Sequence, residues 1–477
     1  MRILFAAAEL SPLAQTGGLG EAVSGLARAL AERGHDLRCA LPAYRTALAH
    51  PACPPLEDAS EIQLGTPIGT VRGRYRRGVL EPHLEAWLFD QPDLYDRPGI
   101  YGEGGYGYWD EGWRYAAFAR SVAALCAVDP PDVLVAHDWH AALAIGLLRT
   151  RHWFGVGREI GLVQVVHNNR FQGRYPRDLL PWTDMPPEYF HPDGFEYYGD
   201  VSLLKGGLMW ADRIVAVSPT YAQELTRPEL GDGLDGVYRS RGDRSTGIVN
   251  GIDVERYDPA TDACLPVRFE ASRPQGKGRC RAALLDELGL APCDRGRLFA
   301  AIGRLTPQKG WDVLVPAIDG LVERGANLVL LGDGEPWIAV ALAEVAARHP
   351  RRVHFRQGWD DALARRAYAG ADAVLVPSRF EPCGLVQLIA QRYGSIPVAH
   401  RTGGLADTIV DGESGILFDE LSPPAIVDAC DRAVRLAGKR GIVRSLLSID
   451  VSWGRSVEPW ERVLEGAARG HQASTLT

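Results

Sequence analysis

The sequence lacks the features that would direct it to a membrane, to nucleic acid or to an oxidising compartment. No apolar run is long enough to span a bilayer, and Glu9 and Pro12 interrupt the apolar start too early for a signal peptide. The net charge is −8, so we expect neither a nucleic-acid partner nor binding to an anionic membrane. The eight cysteines form no C-x-x-C pair and no zinc spacing, which predicts reduced thiols and a cytoplasmic location.

No predicted strand is followed by a dinucleotide-binding G-x-G-x-x-G motif, which makes a nicotinamide oxidoreductase a distant alternative. What is present is typical of a globular protein, with 46% hydrophobic and 23% charged residues. At 477 residues the chain is too long for one hydrophobic core, and we expect two or three domains.

One stretch, Pro377–Leu385, combines a carboxylate with a glycine turn. The apolar run Ala373–Val376 before it predicts a buried strand, and the residues from Leu385 to Arg392 predict a helix. Glu381 should therefore lie at the carboxyl edge of a parallel sheet, where open α/β sheets bind ligands. The N–H groups of the new helix favour an anion, and a carboxylate beside an anion needs a cationic partner.

Arg304 and Lys309 can supply that positive charge. They follow a predicted strand, Leu298–Gly303, and should lie at the same sheet edge as Glu381. Arginine and lysine both bind phosphate oxygens well. The alternative is a solvated basic loop, but the position after a strand favours the functional interpretation.

Two Thr-Gly-Gly-Leu turns stand in corresponding places in the two halves of the chain. One begins at Thr16 and contains Gly17 and Gly18, and the other begins at Thr402. Each follows a predicted strand and precedes a predicted helix. A single copy would indicate only a tight turn, whereas a copy in each half predicts a phosphosugar held by backbone N–H groups.

Polar side chains also follow two predicted strands of the first half. Asp132–Ala136 leads to His137 and Asp138, and Leu162–Val166 leads to His167. Polar groups at two strand ends indicate one shared cleft rather than isolated core histidines.

Two segments before these strands have other patterns. The segment from Ile62 to Leu80 alternates loosely and contains spaced glycines, which predicts a hairpin. A long loop predicted from Asp90 to Tyr115 carries seven Tyr and Trp residues, which either stack on sugars or cover the core.

Ten motifs spread over nearly the whole chain carry a family resemblance: Thr16–Leu19, Asp96–Gly102, His137–His140, His167-Asn168, Lys205–Gly207, Ala216–Tyr221, Asn250–Asp253, Gly303–Gly310, Ser378–Leu385 and Thr402–Asp407. Together they resemble the bacterial glycogen synthases and plant starch synthases, which are retaining glycosyltransferases of the GT-B type. The resemblance implies an α/β fold of two facing Rossmann-like domains with the active site in the cleft between them. Residues 1–253 would form the acceptor domain and 254–456 the nucleotide-sugar domain, and 457–477 would form a helix that crosses back.

The implied reaction transfers glucose from ADP-glucose to the non-reducing end of an α-1,4-glucan such as glycogen. It uses no metal and no other cofactor, and the sequence has no obvious Asp-x-Asp metal motif. The implied catalytic residues are Glu381, His167 and Asp138. The residues implied to bind the donor are Gln15, Gly17, Gly18, Arg304, Lys309, Cys383, Gly384, Leu385, Thr402, Gly403 and Gly404.

The chain departs from the family pattern around the donor. It has Gln15 where the family usually has lysine, Glu21 where it has aspartate, and Arg170 in a segment that is usually apolar or small. Two alternatives therefore stay open beside an ADP-glucose-dependent synthase. One is a related transferase with UDP-glucose or another acceptor, and the other is a weakly active glucan-binding relative. The sequence leaves the oligomeric state, the acceptor length and regulation open.

Overall fold

The computed structural model describes residues 1–150 and 160–469. The chain divides into two units, Met1–Asn250 together with the segment that starts at Ser456, and Gly251–Arg455. Of the helical segment predicted at 457–477, residues 470–477 lie outside the described residues. The cleft predicted between the two domains stays a prediction.

The first unit is built on a sheet of nine strands. The strands of this unit are β1 Arg2–Ala6, β2 Asp36–Pro42, β3 Glu57–Thr66, β4 Gly69–Glu81, β5 Leu84–Asp90, β6 Gly102–Glu103, β7 Tyr106–Gly107, β8 Val133–His137, β9 Gly161–Val166, β10 Arg174–Tyr175, β11 Glu196–Tyr197, β12 Asp200–Ser202, β13 Arg213–Ala216 and β14 Ser245–Gly247. Its helices are α1 Gly18–Glu32, α2 Arg45–Leu48, α3 Pro92–Tyr95, α4 Glu111–Val128, α5 Asp138–Thr150, α6 Leu180–Thr183, α7 Leu203–Trp210, α8 Pro219–Glu224 and α9 Asp235–Arg241.

The strand order of this large sheet is β14-β13-β9-β8-β1-β2-β5-β4-β3. The strands from β14 to β5 run parallel, and the hairpin β3–β4 joins the edge in antiparallel pairing. Every residue of β8 and β9 is buried, as expected for parallel strands covered on both faces. The hairpin predicted from the spaced glycines is confirmed by β3 and β4.

The predicted loop from Asp90 to Tyr115 is partly wrong. Helix α4 already begins at Glu111, so Trp113 and Tyr115 lie on a helix. Tyr115 is fully buried and its hydroxyl bonds to that of Tyr44, whereas Trp109 stays 81% exposed. Of the two predicted roles, covering the core applies to Tyr115.

The second unit is built on a six-stranded parallel sheet with the order β17-β16-β15-β18-β19-β20. Its strands are β15 Leu298–Ile302, β16 Asn327–Gly332, β17 Val353–Gln357, β18 Ala373–Val376, β19 Ile396–His400 and β20 Ile416–Phe418. Its helices are α10 Gly276–Glu287, α11 Trp311–Glu323, α12 Pro336–Arg348, α13 Asp361–Gly370, α14 Val386–Arg392, α15 Gly403–Thr408, α16 Pro423–Ala437 and α17 Ile442–Leu447.

The core of the second unit lies on both faces of its sheet. Along β15, Leu298, Ala300 and Ile302 pack into one apolar cluster, and Phe299 and Ala301 pack into the other. This alternation follows from the two-residue period of a strand. Because helices cover both faces, the sheet is buried and only the loops at its ends remain for ligands.

The last described helix, α18 Gly454–Arg469, packs on the first unit. Arg33 donates to both oxygens of Glu461 at 3.1 Å, and a Cβ on Gly161 would lie 2.8 Å from the backbone of Ala467. The buried residues of α18 recur with the helical period, and they include Val457, Trp460, Val463, Leu464 and Ala467. Among the described residues, no helix combines the length and the hydropathy needed to cross a membrane.

Candidate active site

The loops that carry the predicted site residues leave each sheet where the strand order changes direction. In the first sheet β1 lies between β2 and β8, and in the second β15 lies between β16 and β18. These neighbours are parallel, so their following loops emerge at one edge of their own sheet. Ligands of open α/β sheets bind at such switch points. Each unit therefore presents its own group of candidate site residues at one edge of its sheet.

Glu381 lies in the turn between β18 and α14, where a cation and a hydroxyl group bind its carboxylate. Lys309 Nζ donates to Glu381 Oε2 at 2.6 Å, and Ser378 Oγ donates to the same oxygen at 2.9 Å. The side chains of Glu381 and Lys309 are 7% and 22% exposed. Burial to this extent makes the attraction stronger than that of a surface ion pair.

Arg379, in the turn of Glu381, forms hydrogen bonds that connect this turn to the loop of Lys309 and to the start of α11. Its guanidinium donates to both carboxylate oxygens of Asp312 and to the carbonyl oxygen of Pro307, each at 2.6 Å. Two parallel N–H···O bonds to one carboxylate fix the orientation of both partners. The separation of Lys309 and Glu381 is thus held by contacts outside the pair itself.

Arg304 lies in the same loop as Lys309 but in a different environment. Its side chain is exposed, and no hydrogen bond or ion pair of its guanidinium is found among the described residues. Its carbonyl oxygen accepts a hydrogen bond from Trp311 Nε1 at 2.8 Å, which anchors the backbone. The loop after β15 therefore presents one paired and one exposed cation.

The second glycine turn lies directly against the turn of Glu381. Gly404 N donates to Glu381 O at 3.0 Å, and a Cβ on Gly404 would overlap the carbonyl oxygen of Cys383. Thr402 is buried and precedes α15, and Gly403 adopts a φ of 44°. Only glycine permits this close approach of two backbones.

Gly384 and Leu385 lead from the Glu381 turn into α14. Gly384 has a φ of 77°, in the left-handed region, and Leu385 is the residue that precedes the first turn of the helix. Gln387 Nε2 donates to the carbonyl oxygens of Cys383 at 3.0 Å and Gly384 at 2.8 Å. Cys383 is buried in this arrangement.

In the first unit, Asp138 begins α5 with a φ of 55°, which few non-glycine residues adopt. Its Oδ1 accepts hydrogen bonds from the backbone N–H of His167 at 2.7 Å and of Asn168 at 3.4 Å. No ion pair to Asp138 is found in the described part of the chain. Burial raises the pKa of Asp138 to about 7, although the two backbone bonds act in the opposite direction.

His137 and His167 lie side by side at the ends of neighbouring strands. His137 Nδ1 is 3.0 Å from His167 Nε2. Burial lowers the pKa of His167 to about 3 and that of His137 well below its ordinary value of 6.5. Both rings are therefore neutral at physiological pH.

Glu9, which the sequence motifs did not mark as a site residue, organises the first glycine turn. Its carboxylate is buried and accepts hydrogen bonds from Thr16 N at 2.8 Å, Thr16 Oγ1 at 2.8 Å, Gly17 N at 3.3 Å and Tyr101 Oη at 2.8 Å. Gly18, the next residue, begins α1. The sequence does contain a signal for this role, because Glu9 closely follows the predicted strand β1, at the same sheet edge as Asp138.

Two of the departures from the family pattern have local partners in the structure. Gln15 is exposed; Ser11 Oγ donates to its Oε1 at 2.9 Å, and its Nε2 donates to Gly17 O at 3.2 Å. Arg170 is also exposed and lies 3.7 Å from Asp232. Gln15 thus supports the turn, and the charge of Arg170 is partly balanced by a carboxylate.

Within residues 1–150 and 160–469, no group of three or more His, Cys, Asp and Glu side chains is arranged to hold a metal ion. The absence of a metal from the reaction stays a prediction. The predicted site residues that carry positive charge are Arg304 and Lys309.

Two family models match the chain. The one described as "Starch synthase catalytic domain" matches residues 2–240, and the one described as "Glycosyl transferases group 1" matches residues 296–435. Similar curated proteins are glycogen synthases. That of Novosphingobium aromaticivorans is 40% identical over 475 residues and covers 96% of each chain. That of Syntrophotalea carbinolica is 37% identical, with 99% of this chain and all of its own length covered.

Solved structures agree with this assignment. The catalytic domain of starch synthase IV from Arabidopsis thaliana, bound to ADP and acarbose, superposes with a TM-score of 0.89 at 29% identity and covers 98% of this chain and 99% of that chain. A sucrose-phosphate synthase from Thermosynechococcus elongatus gives a TM-score of 0.60 at 17% identity with 98% of each chain covered, which shows the GT-B fold alone. The chain belongs to the glycogen synthase and starch synthase family of glycosyltransferases.

Proposed function

We propose that this chain elongates glycogen by transferring glucose from ADP-glucose to the non-reducing end of an α-1,4-glucan, with retention of configuration. The observation that carries the proposal is the arrangement of Glu381, Lys309 and Arg304 at the switch point of the second sheet. A carboxylate and two cations at one sheet edge suit a reaction in which a sugar gains positive charge while a diphosphate leaves.

In this proposal Arg304 and Lys309 bind the diphosphate. The exposed guanidinium of Arg304 is available for two parallel hydrogen bonds to phosphate oxygens, and Lys309 acts as a point charge. Glu381 stabilises the positive charge that develops at the anomeric carbon. Because Lys309 contacts Glu381 at 2.6 Å, one ammonium group can serve both the carboxylate and the leaving group.

Asp138 and His167 contact the glucose of the donor in the proposed complex. Asp138 is buried and His167 is half-buried, and the backbone bonds from His167 and Asn168 orient the carboxyl group of Asp138. A neutral imidazole can bond to a sugar hydroxyl without competing with Arg304 and Lys309 for the diphosphate. The glycine turns that contain Gly17 and Gly403 let the backbone approach the donor closely in this proposal.

The adenine nucleotide and the glucan are proposed from relatives. The Arabidopsis structure was determined with ADP and acarbose, and the curated relatives are glycogen synthases. The eight cysteines of this chain are all free thiols, which supports a reducing compartment such as the cytosol.

A donor panel tests the proposal. The purified chain is incubated with glycogen and with ADP-, UDP- or GDP-glucose, and the incorporated glucose is measured with and without EDTA. We expect ADP-glucose to be used best, EDTA to have no effect, and the product to be digested by an α-1,4-specific amylase. Glu381→Gln is the control that shows that activity comes from this site. Preference for UDP-glucose would overturn the donor assignment, and no transfer from any donor would overturn the function.

Gln15→Lys tests whether the charge typical of the family is missing here. The Asp232 carboxylate near Arg170 leaves Arg170 a poor replacement for a lysine in the turn. We expect Gln15→Lys to raise kcat with ADP-glucose by up to about tenfold, about 1.4 kcal/mol, and Arg170→Ala to change it little. A large loss in Arg170→Ala that Gln15→Lys restores would show instead that Arg170 already supplies the charge.

A further inference from the structure

Lysine is rare in this chain, and two of its few lysines are buried. Four of the 52 basic residues are lysines: Lys205, Lys277, Lys309 and Lys439. Lys205 and Lys277 are 6% and 7% exposed. Since arginine is so strongly preferred elsewhere, a buried lysine favours a place that needs a compact ammonium group and that a planar guanidinium group would not fit.

Four oxygen atoms surround the ammonium group of Lys277. Its Nζ lies within hydrogen-bond distance of three carbonyl oxygens and one hydroxyl group: Tyr368 O at 3.3 Å, Ala369 O at 3.0 Å, Tyr393 O at 3.0 Å and Ser395 Oγ at 2.8 Å. We call these four atoms the oxygen cage. The distances suit an ammonium group, whereas Mg²⁺ and Ca²⁺ bind oxygen at about 2.0–2.6 Å.

Helix ends supply the carbonyl groups of the oxygen cage. Tyr368 and Ala369 lie in the last turn of α13, and Tyr393 follows the last residue of α14. The last carbonyl groups of a helix have no partner within the helix and form the negative end of its dipole, so they favour a cation. Lys277 reaches them from the second position of α10. One ammonium group thus connects three helices.

The atoms of the oxygen cage act as acceptors toward Lys277. Ser395 Oγ donates its own proton to a backbone carbonyl oxygen, Tyr368 O at 2.6 Å or Ala371 O at 2.8 Å, so it accepts from Lys277. Burial lowers the pKa of Lys277 to about 7, although the charge of Asp372 acts in the opposite direction. Below pH 7 the group is therefore an ammonium, whose three N–H groups match a cage of acceptors. A neutral amine would turn a lone pair toward one of these oxygens.

The oxygen cage lies where two neighbouring strands of the second sheet begin. The chain passes from α13 into β18 and from α14 into β19, and Ala373 pairs with Ile396 at the start of these strands. The same strands lead to the turn of Glu381 and to the second glycine turn. Because a packed interior transmits a shift of a strand from one end to the other, a contact at the starts of β18 and β19 constrains both turns.

We propose that the oxygen cage is a site for a small monovalent cation that the chain fills with its own ammonium group, and that Lys277 is thereby a positioning residue for the Glu381 turn and the second glycine turn. Carbonyl oxygens arranged around one point bind monovalent cations in the same way in potassium channels. When the lysine is removed, the cage should accept an alkylammonium ion from solution. The cation site does not depend on the proposed function.

NMR spectroscopy of the wild-type chain at pH 6 tests the oxygen cage without any substitution. Because the chain has four lysines, labelling with ¹⁵N at lysine Nζ gives four signals, which single substitutions assign. Lys439 is the reference, since it is exposed and donates to Gly412 O at 3.2 Å on the surface. We expect the Nζ protons of Lys277 to exchange with solvent roughly a hundredfold more slowly than those of Lys439. Equal exchange would overturn the proposal.

Chemical rescue tests whether the emptied oxygen cage binds a cation. Lys277→Ala removes three carbon atoms and the nitrogen, which n-propylammonium can replace, and n-propanol has a similar shape without the charge. Lys277→Met fills the space but leaves the acceptors without a donor. Lys439→Ala is the matched control, because it removes a surface lysine. Thermal unfolding of each variant is measured at pH 6 with and without n-propylammonium or n-propanol.

We expect the midpoints of Lys277→Ala and Lys277→Met to fall by roughly 10 °C, because buried acceptors lose their donor. By mass action, n-propylammonium should raise the midpoint of Lys277→Ala with saturation, and n-propanol should not. An equal response of Lys277→Ala, Lys439→Ala and the wild type would overturn the cation site. A Lys277→Met variant with the wild-type midpoint would overturn it as well.

Hydrogen exchange of the backbone tests the positioning role, and it needs no activity. At a temperature at which the variants are folded, residues 377–385 and 402–408 should exchange faster in Lys277→Ala and in Lys277→Met than in the wild type. n-Propylammonium should restore slow exchange in Lys277→Ala, and α11 and α12 should exchange as in the wild type throughout. A general loss of stability would instead speed exchange over the whole second unit. That result, or unchanged exchange in both turns, would overturn the positioning role.

Discussion

The candidate residues of each unit include a carboxylate that follows a parallel strand, but the surroundings of the two carboxylates are opposite. Glu381 in the second unit is bonded to the ammonium group of Lys309, which balances its charge. Asp138 in the first unit accepts from backbone N–H groups and lies close to two neutral histidines. The comparison shows that the position at a strand end does not determine the state of a carboxyl group; the neighbouring groups do.

The two glycine turns differ in a related way. The turn at Gly17 is held by a side chain, the buried carboxylate of Glu9. The turn at Gly404 is held by the backbone of the Glu381 turn, against which it packs without space for a side chain. The candidate residues of the second unit are thus charged and closely packed, and those of the first unit are buried without a balancing cation.

The largest difference between the two carboxylates should appear in kcat. Glu381→Gln removes the charge that Lys309 balances and is expected to lower kcat by roughly a thousandfold, as for the loss of a major electrostatic contact. Asp138→Asn keeps an acceptor oxygen and tolerates the positive φ, so we expect a loss of only about tenfold at neutral pH. Steady-state kinetics with ADP-glucose and glycogen measure both. Equal losses would contradict this distinction.

Because the pKa of Asp138 is raised, we expect the free energy of unfolding to depend on pH. Between about pH 4 and 7 the folded state holds a proton on Asp138 that the unfolded chain has released, so the stability from this group is full below about pH 4 and is lost as the pH rises through about 7. The difference between a pKa of about 7 in the folded state and the ordinary 3.8 corresponds to about 4 kcal/mol. Asp138→Asn should remove this loss, so denaturant unfolding should show the variant gaining on the wild type as the pH rises. Parallel pH curves would contradict the raised pKa.

Substitution of Lys309 should lower the stability of the fold, whereas substitution of Arg304 in the same loop should weaken ligand binding alone. Lys309→Met leaves the buried Glu381 carboxylate without its cation, and we expect a loss of about 3 kcal/mol in the free energy of unfolding. Arg304→Met is the matched control, because its side chain is exposed and no partner is found for it among the described residues. Arg304→Met should leave the free energy of unfolding unchanged. It should weaken the binding of ADP, measured by calorimetry, by roughly tenfold or more. A destabilised Arg304→Met would show that the two cations are not distinct.

The glycine turns should respond differently to one added methyl group. A Cβ at Gly404 overlaps the backbone of Cys383, so Gly404→Ala should lower the free energy of unfolding by about 2 kcal/mol. Gly17 has an extended φ of −159°, and no atom lies within 4 Å of the point that an added Cβ would occupy. Gly17→Ala should therefore unfold like the wild type. Thermal unfolding of the pair measures the difference, and equal midpoints would show that the Gly404 turn can relax away from Cys383.

Much of the candidate site could be predicted from the sequence because its residues follow recognisable strands. The apolar runs before Glu381, Asp138 and Arg304 have the length and composition of buried parallel strands, and the structure has strands there. The predicted loop from Asp90 to Tyr115 failed in part because α4 is buried nearly all round, and its weak amphipathic pattern hides the helix.

The sequence by itself determined the strand ends, the glycine turns and the family, since these depend on short local patterns and on motifs. Only the tertiary structure decided which loops meet. Lys309 and Glu381 are 72 residues apart in the sequence, and they meet because β18 lies beside β15. The structure also decided that Glu9 holds the first turn and that Asp138 and His167 lose their ordinary pKa values, because burial is a property of the packed chain and not of any one segment.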